Sequence, residues 1–159
     1  MKNRNYRIRE TRNDDIEATI ELRGRTRENP VSRSRLQSLG ITQKSIYDSF
    51  DSGECKGFVC ALESEIIGFC NGDATTGEVL VLAVAPEHEG QGIGSALLGK
   101  IVDWLSKQGH SVLWLAADPD PAIRAYGFYR AQGWRSTGLL DQHGDERLEL
   151  VTAQAKTSR

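Results

Sequence analysis

Apolar residues recur along this chain with two different periods. Tyr6-Arg7-Ile8-Arg9-Glu10 alternates, which is the period of a strand. Capping residues follow at positions 11–15. Ile16 and Ile20 then stand four apart, predicting a helix to about Arg25. Asn29-Pro30 ends it at the latest, because the residue before proline disfavours helical backbone. Residues 32–39 fit neither period. Thr42 is placed to cap a short helix through Ile46, Tyr47 and Phe50. Residues 55–62 and 66–71 are strand-like, and Glu63-Ser64-Glu65 between them reads as the turn of an antiparallel hairpin.

The second half is patterned differently. Residues 79–84 form a continuous apolar run, predicting a strand buried on both faces. Ile93, Leu97, Ile101 and Leu105 then fall four apart, with Leu98, Val102 and Trp104 widening the stripe, and Gly109 stops the helix. Residues 112–116 form a second apolar strand. A strand, a helix and a strand of these lengths make a parallel pair with a right-handed crossover. Asp118-Pro119-Asp120-Pro121 is a rigid turn before a helix over 122–132, and residues 134–137 and 147–151 pair as a closing hairpin. The pattern is one α/β domain over 1–159, with a mixed sheet, an antiparallel N-terminal half and flanking helices. Its core spans about 6–151, and 152–159 reads as a frayed tail.

Composition narrows the class. At 159 residues the chain suits a single domain with an ample core. Twenty basic against 22 acidic residues give a net charge of −2, so no global basic signal points to nucleic acid or membrane. The first residues are charged and no apolar stretch follows them, so the expected location is cytoplasmic. Cys55, Cys60 and Cys70 are odd in number and lack metal-ligand spacing, so they read as buried thiols, with no disulfide framework and no metal.

The chemistry concentrates at residues 88–98. Gly90, Gly92 and Gly94 alternate between the end of a strand and the start of a helix. Such a turn is a nest of backbone N–H groups at a positive helix end, which suits a phosphate. A P-loop would need lysine after its last glycine, and Ser95-Ala96 stands there. A dinucleotide fingerprint counted from Gly90 would need its third glycine at Ser95.

The stretch Glu89-Gly90-Gln91-Gly92-Ile93-Gly94 resembles motif A of the GNAT superfamily of N-acetyltransferases. Ala125-Tyr126-Gly127-Phe128-Tyr129 and Gly133-Trp134 are similar to that family's alanine-tyrosine-glycine-aromatic segment, and the order of elements over 6–151 agrees. Two positions depart from the pattern. Glu89 replaces the usual arginine or glutamine, and a carboxylate beside a diphosphate is expected to point away. Ala122 replaces a common asparagine. The resemblance implies a splayed parallel strand pair holding acetyl-CoA. Backbone of Leu82, Ala83 and Val84 would take the pantetheine, and the N–H groups of Gly90, Gln91, Gly92, Ile93, Gly94 and Ser95 the pyrophosphate. Tyr129 would protonate the leaving sulfur, with Tyr126 as its substitute near the cofactor. Glu78 is the first candidate for the base that takes the amine's proton, with Asp73 and Glu28 as alternatives. His88 lies close enough in sequence to reach a phosphate. No metal is required.

The implied activity is transfer of an acetyl group to a primary amine of a small molecule or peptide, by direct attack in a ternary complex. The competing reading is a non-catalytic CoA-binding sensor or interaction module. A third is another nucleotide binder using the same loop. Arg23, Arg27 and Glu28 fall where they would line an acceptor pocket, and two arginines there favour an anionic acceptor. Nucleic acid and membrane are not expected partners. A homodimer is compatible with the family, although no residue specifies one.

Overall fold

The computed structural model describes residues 5–152. The alternating run at the start is strand β1 (Tyr6–Glu10), and it pairs antiparallel with β2 (Cys55–Leu62). The expected hairpin joins β2 to β3 (Glu65–Asp73) through a tight turn in which Glu63 takes a left-handed φ of 57°. β3 pairs antiparallel with β4 (Glu78–Val84). β5 (Val112–Ala117) follows β4 in the sheet. β7 (Glu146–Val151) then inserts between β5 and the edge strand β6 (Arg135–Leu140), giving the order β1-β2-β3-β4-β5-β7-β6. Among the described residues, only β4 and β5 run parallel.

Among the described residues, five α-helices flank this sheet. Helix α1 (Ile16–Arg23) stops two residues before the predicted end, with Gly24 as its C-cap. The ambiguous 32–39 segment is a short helix, α2 (Arg33–Ser38), started by Ser32, whose hydroxyl accepts the Arg35 N–H at 3.2 Å. Thr42 caps α3 (Gln43–Asp51) as predicted, accepting the Ser45 N–H at 3.1 Å. α4 (Ile93–Lys107) is the long amphipathic helix, and α5 (Arg124–Ala131) precedes the closing hairpin. α5 begins two residues later than predicted. The Asp120 side chain takes the Ala122 N–H, and Ile123 stays extended at ψ 136°.

The main core lies between α4 and the sheet. Ile93, Leu97, Ile101 and Leu105 are buried, and each contributes about 1.5–3 kcal/mol on leaving water. The helix sits this close because Gly72 has no side chain. A Cβ there would stand 2.8 Å from the Ile101 Cγ2. Ile16, Ile20 and Leu36 form a smaller core under α2 and α3. Cys60 and Cys70 are buried as expected, and Cys55 is half-buried. Trp134 is in the core. Trp104 and Trp114 are only half-buried, with Lys56 and Arg147 over their rings.

Two expectations are corrected. β4 is not buried on both faces: Leu80 is 45 % exposed, because it is the bulge residue of β4, standing between Val79 opposite Gly72 and Val81 opposite Asn71. The C-terminal tail does not fray at 152. Thr152 is buried, its N–H donates to Ser111 O at 2.9 Å and its hydroxyl to His110 O at 2.8 Å. Residues 153–159 lie outside the described residues. No helix among the described residues is long and apolar enough to cross a membrane.

An ion pair locks the start of α1 to β1. Arg9 donates to both Asp15 oxygens, at 2.6 and 3.0 Å, and Asp15 also accepts the Arg12 N–H at 2.7 Å. The Arg9 bonds hold the Asp15 carboxyl below the usual carboxylate range. A depressed folded pKa adds stability that is complete above the unfolded pKa of about 3.9 and is lost as pH falls through the lower folded value. Arg9→Gln is therefore expected to cost about 1–3 kcal/mol at pH 7. That difference from wild type should shrink in urea melts below about pH 4. A deficit equal at pH 7 and pH 3 would mean that the cost is packing and not charge.

Candidate active site

The site begins where β4 and β5 part. They share one register pair, Glu78 opposite Trp114, and diverge beyond it. Among the described residues, the β4 edge from Val79 to Val84 then has no strand on its β5 side. A strand edge without a neighbour presents N–H and C=O groups in a row. The gap is a cleft of about 370 Å³. Leu82, Ala83 and Val84 line one wall, and Leu115 to Asp118 of β5 and its following turn line the other.

The glycine loop closes one end of this cleft. Gly90 and Gly92 adopt φ values of 76° and 83°, which only glycine takes without strain. Gly92 is the N-cap of α4, so the N–H groups of its first turn point out of the helix. Gly90, Gly92, Ile93, Gly94 and Ser95 all line the cleft. A Cβ on Gly94 would meet the Phe128 ring at 3.4 Å, which closes the gap between α4 and α5. Gln91 is turned outward instead, and its side chain accepts the Tyr6 hydroxyl. His88 is buried at the cleft wall, with its Nδ1 3.4 Å from the Tyr6 hydroxyl.

The Glu89 side chain is held by cations. It is 17 % exposed, lines the cleft, accepts the Arg27 Nε–H at 2.8 Å and pairs with Arg124 at 3.6 Å. Two arginines thus surround the acid in the motif's first position and offset its charge at the lip of the nest. Arg124 was not singled out from the sequence. The signal was there: a carboxylate beside an anion nest needs a compensating cation. The residue that supplies it stands in the Tyr129 segment, on α5. The same α1–α2 loop also reaches α5 itself, where Glu28 accepts the Arg124 N–H at 2.9 Å.

Tyr129 also lines the cleft. Phe128 and Trp134 pack edge-on against its ring, with centroids 5.2 and 6.2 Å away. Among the described residues its hydroxyl makes no hydrogen bond within the chain. Burial pushes its pKa above the ordinary tyrosine value, with the Arg23 charge opposing, so the hydroxyl keeps its proton at neutral pH. Tyr126 does not join it. The Arg130 guanidinium lies 3.5 Å above the Tyr126 ring, and Arg130 also binds Glu146 at 2.6 Å, tying α5 to β7.

Glu78 is not part of the cleft wall, which starts one residue later at Val79. It sits at the start of β4 opposite Asp73 of β3. Burial first, and the Asp73 charge second, raise its pKa, with Arg147 opposing. Asp73 is engaged by the Thr75 N–H at 2.8 Å and the Thr75 hydroxyl at 2.6 Å. Of the three candidate bases, only Glu28 lines the cleft. No group of metal-ligating side chains is present among the described residues.

Comparison with known proteins agrees with this architecture. Residues 16–134 match the model of the acetyltransferase (GNAT) family. The fold is similar to PaiA N-acetyltransferase from Thermoplasma acidophilum, solved with coenzyme A, at a TM-score of 0.77 and 20 % identity over 92 % of this chain and 99 % of that one. It is also similar to yncA from Salmonella typhimurium, solved with acetyl-CoA, at a TM-score of 0.71 and 18 % identity over 92 % and 94 % of the two chains. A mycothiol acetyltransferase from Clavibacter sepedonicus is 41 % identical over 56 residues, 34 % of this chain. The chain spans 18 % of the length of that curated relative. Matched over most of its core, with the single α/β sheet that splits between β4 and β5, the chain belongs to the acetyltransferase (GNAT) family.

Proposed function

We propose that this protein binds acetyl-CoA in the β4–β5 cleft and transfers the acetyl group to a primary amine in a ternary complex. The observation that carries this reading is the open β4 edge running directly into the Gly90–Gly92–Gly94 nest. A strand edge suits the amides of pantetheine, and a nest at a helix N-terminus suits a diphosphate. The structural neighbours solved with coenzyme A and with acetyl-CoA share this fold. Acetyl-CoA supplies a thioester carbon open to nucleophilic attack.

The chain's own residues do the rest. The β4 backbone and the nest hold and orient the thioester, which makes the attack effectively intramolecular. A lysine-like amine has a pKa of about 10.4, so a base must take its proton. Glu78 fills that role through a water, since it stands just outside the cleft wall and its raised pKa moves it toward a working base. Its carboxylate accepts no hydrogen bond among the described residues, whereas that of Glu28 is committed to α5. The amine nitrogen bonds to the acetyl carbon, the C–S bond breaks, and the Tyr129 hydroxyl gives its proton to the sulfur. In this reading Leu82, Ala83, Val84 and the loop backbone, including the Gln91 N–H, hold acetyl-CoA, and the Tyr126 side chain, covered by Arg130, takes no part.

Thermal unfolding tests the cofactor first. Acetyl-CoA at 100 times its Kd should add about 2.7 kcal/mol. For a domain of this size that raises Tm by roughly 5–10 °C, with ATP and NAD giving no comparable shift. CoA release with an amine panel tests the chemistry. A shift with no release from any amine would favour the non-catalytic CoA-binding module, and no shift would remove the cofactor itself. Glu78→Gln should lower kcat/KM by about 10²-fold and flatten the acidic limb of its pH profile. If Glu28→Gln does this and Glu78→Gln does not, the base is Glu28.

A further inference from the structure

The cleft contains one cation whose charge no acid among the described residues balances. Arg23, in the last turn of α1, is half-buried and lines the cleft with Tyr129. Its one hydrogen bond among the described residues runs from Nη1 to the Asn29 carbonyl, at 2.7 Å. No carboxylate pairs with it there. The other two arginines of the cleft lie against two acids: Arg27 and Arg124 share Glu89, and Glu28 stands beside them. The acid nearest in the loop, Glu28, is held by the Arg124 N–H.

A guanidinium carries five N–H donors in a planar fork, and a carbonyl occupies one of them without cancelling the charge. Burying such a charge is costly, and the cost falls when an anion arrives. The plain structural reading is that Arg23 complements the α1 dipole and fastens the loop through Asn29. A cation left in solvent would do that equally well. Arg23 is instead drawn into the cleft, close enough to Tyr129 for its charge to oppose the rise in the tyrosine pKa.

We infer that Arg23 is the receptor for a carboxylate on the acceptor, so that the amine acetylated here belongs to an amino acid or another amino-carboxylate. This deepens the acetyltransferase reading and rests on it. The free side of the fork fits the two oxygens of a carboxylate. One unbalanced cation matches one negative charge. A phosphate dianion would call for a second free cation, and the other two arginines of the cleft are offset by Glu89 and Glu28 together. An acceptor gripped at Arg23 lies beside Tyr129, where the thioester is to be cleaved.

The test uses the full chain with α-, β- and γ-amino acids, each matched with its own amide. Wild type should show kcat/KM at least about tenfold higher for the best acid than for its amide, which is one well-placed charged contact of about 1.4 kcal/mol. Arg23→Gln should collapse that ratio toward one, raising the KM of the acid far more than the KM of acetyl-CoA. Arg23→Lys should keep part of it. A second readout needs no turnover. With CoA bound, the preferred acid should raise Tm in wild type and not in Arg23→Gln, and its amide should raise neither. An acetyl-CoA shift like that of wild type certifies that each variant is folded.

Equal use of acids and amides by wild type would overturn the assignment. So would an Arg23→Gln variant that slows both alike, since that marks a charge acting on the leaving sulfur. Competition by inorganic phosphate stronger than by acetate would move the ligand to a phosphorylated amine and also overturn it. Failure of the acetyltransferase reading looks different: acetyl-CoA would give no shift at all, or the acid-specific shift would persist with no CoA released.

Discussion

Tyr129→Phe should lower kcat for acetyl transfer by roughly 10²–10⁴-fold, with the KM for acetyl-CoA close to that of wild type. The reason lies in how little the hydroxyl does for the fold. It bonds to nothing in the chain among the described residues, and the ring is held by Phe128 and Trp134 through edge-on contacts that phenylalanine would keep. Removing the oxygen therefore leaves the packing intact and takes away only the proton. That proton is needed because the departing thiolate, with a pKa near 8.5, leaves more easily when protonated. Thermal melts of the variant should match wild type to within about 0.5 kcal/mol, the usual range where no such feature is lost. A variant with full kcat would reduce Tyr129 to a packing residue and shift the acid's role to water.

Ile101→Ala should cost about 2–5 kcal/mol. That corresponds to a fall in Tm of roughly 5–15 °C. Ile101 is fully buried on α4 and rests on the space left by Gly72. The residue directly opposite, Gly72, has no side chain to move into the cavity. Ile101→Val should cost only about 0.5–1.5 kcal/mol. The comparison separates a lost contact from a moved helix. α4 also carries the glycine nest at its first turn, so a tilted helix would weaken acetyl-CoA binding in the alanine variant as well. Urea unfolding and a cofactor-induced shift, measured on the same samples, check both. An alanine variant with a wild-type midpoint would show that α4 closes over the gap without strain.

Legibility differed from one part of the chain to another for physical reasons. α4 was plain because its apolar positions repeat every four residues and glycines bound it at both ends. The nest was plain because three alternating glycines have no cheaper use at a strand end. β4 misled because its residues are apolar on both sides, while the bulge at Leu80 turns one side into a cleft wall. No run of side chains encodes a bulge. The partners of Glu89 were hidden for another reason. Taken alone, a carboxylate beside a phosphate site is repulsive, and only the fold places Arg27, 62 residues earlier, within 2.8 Å of it. The placement of Glu78 one residue outside the cleft depends on where β5 leaves β4, which is a property of the pair and of neither strand.

The three tryptophans have an optical consequence. Trp134 is 2 % exposed and stands edge-on to Tyr129, which lines the cleft, whereas Trp104 and Trp114 carry cations over half-buried rings. An indole held in apolar surroundings emits at shorter wavelength than one in contact with water. The blue side of the emission band therefore belongs to the residue beside the reacting centre, and the red side to the two at the periphery. Events at the tyrosine and loosening of the surface write to different ends of one spectrum, and the molecule reports both without a label.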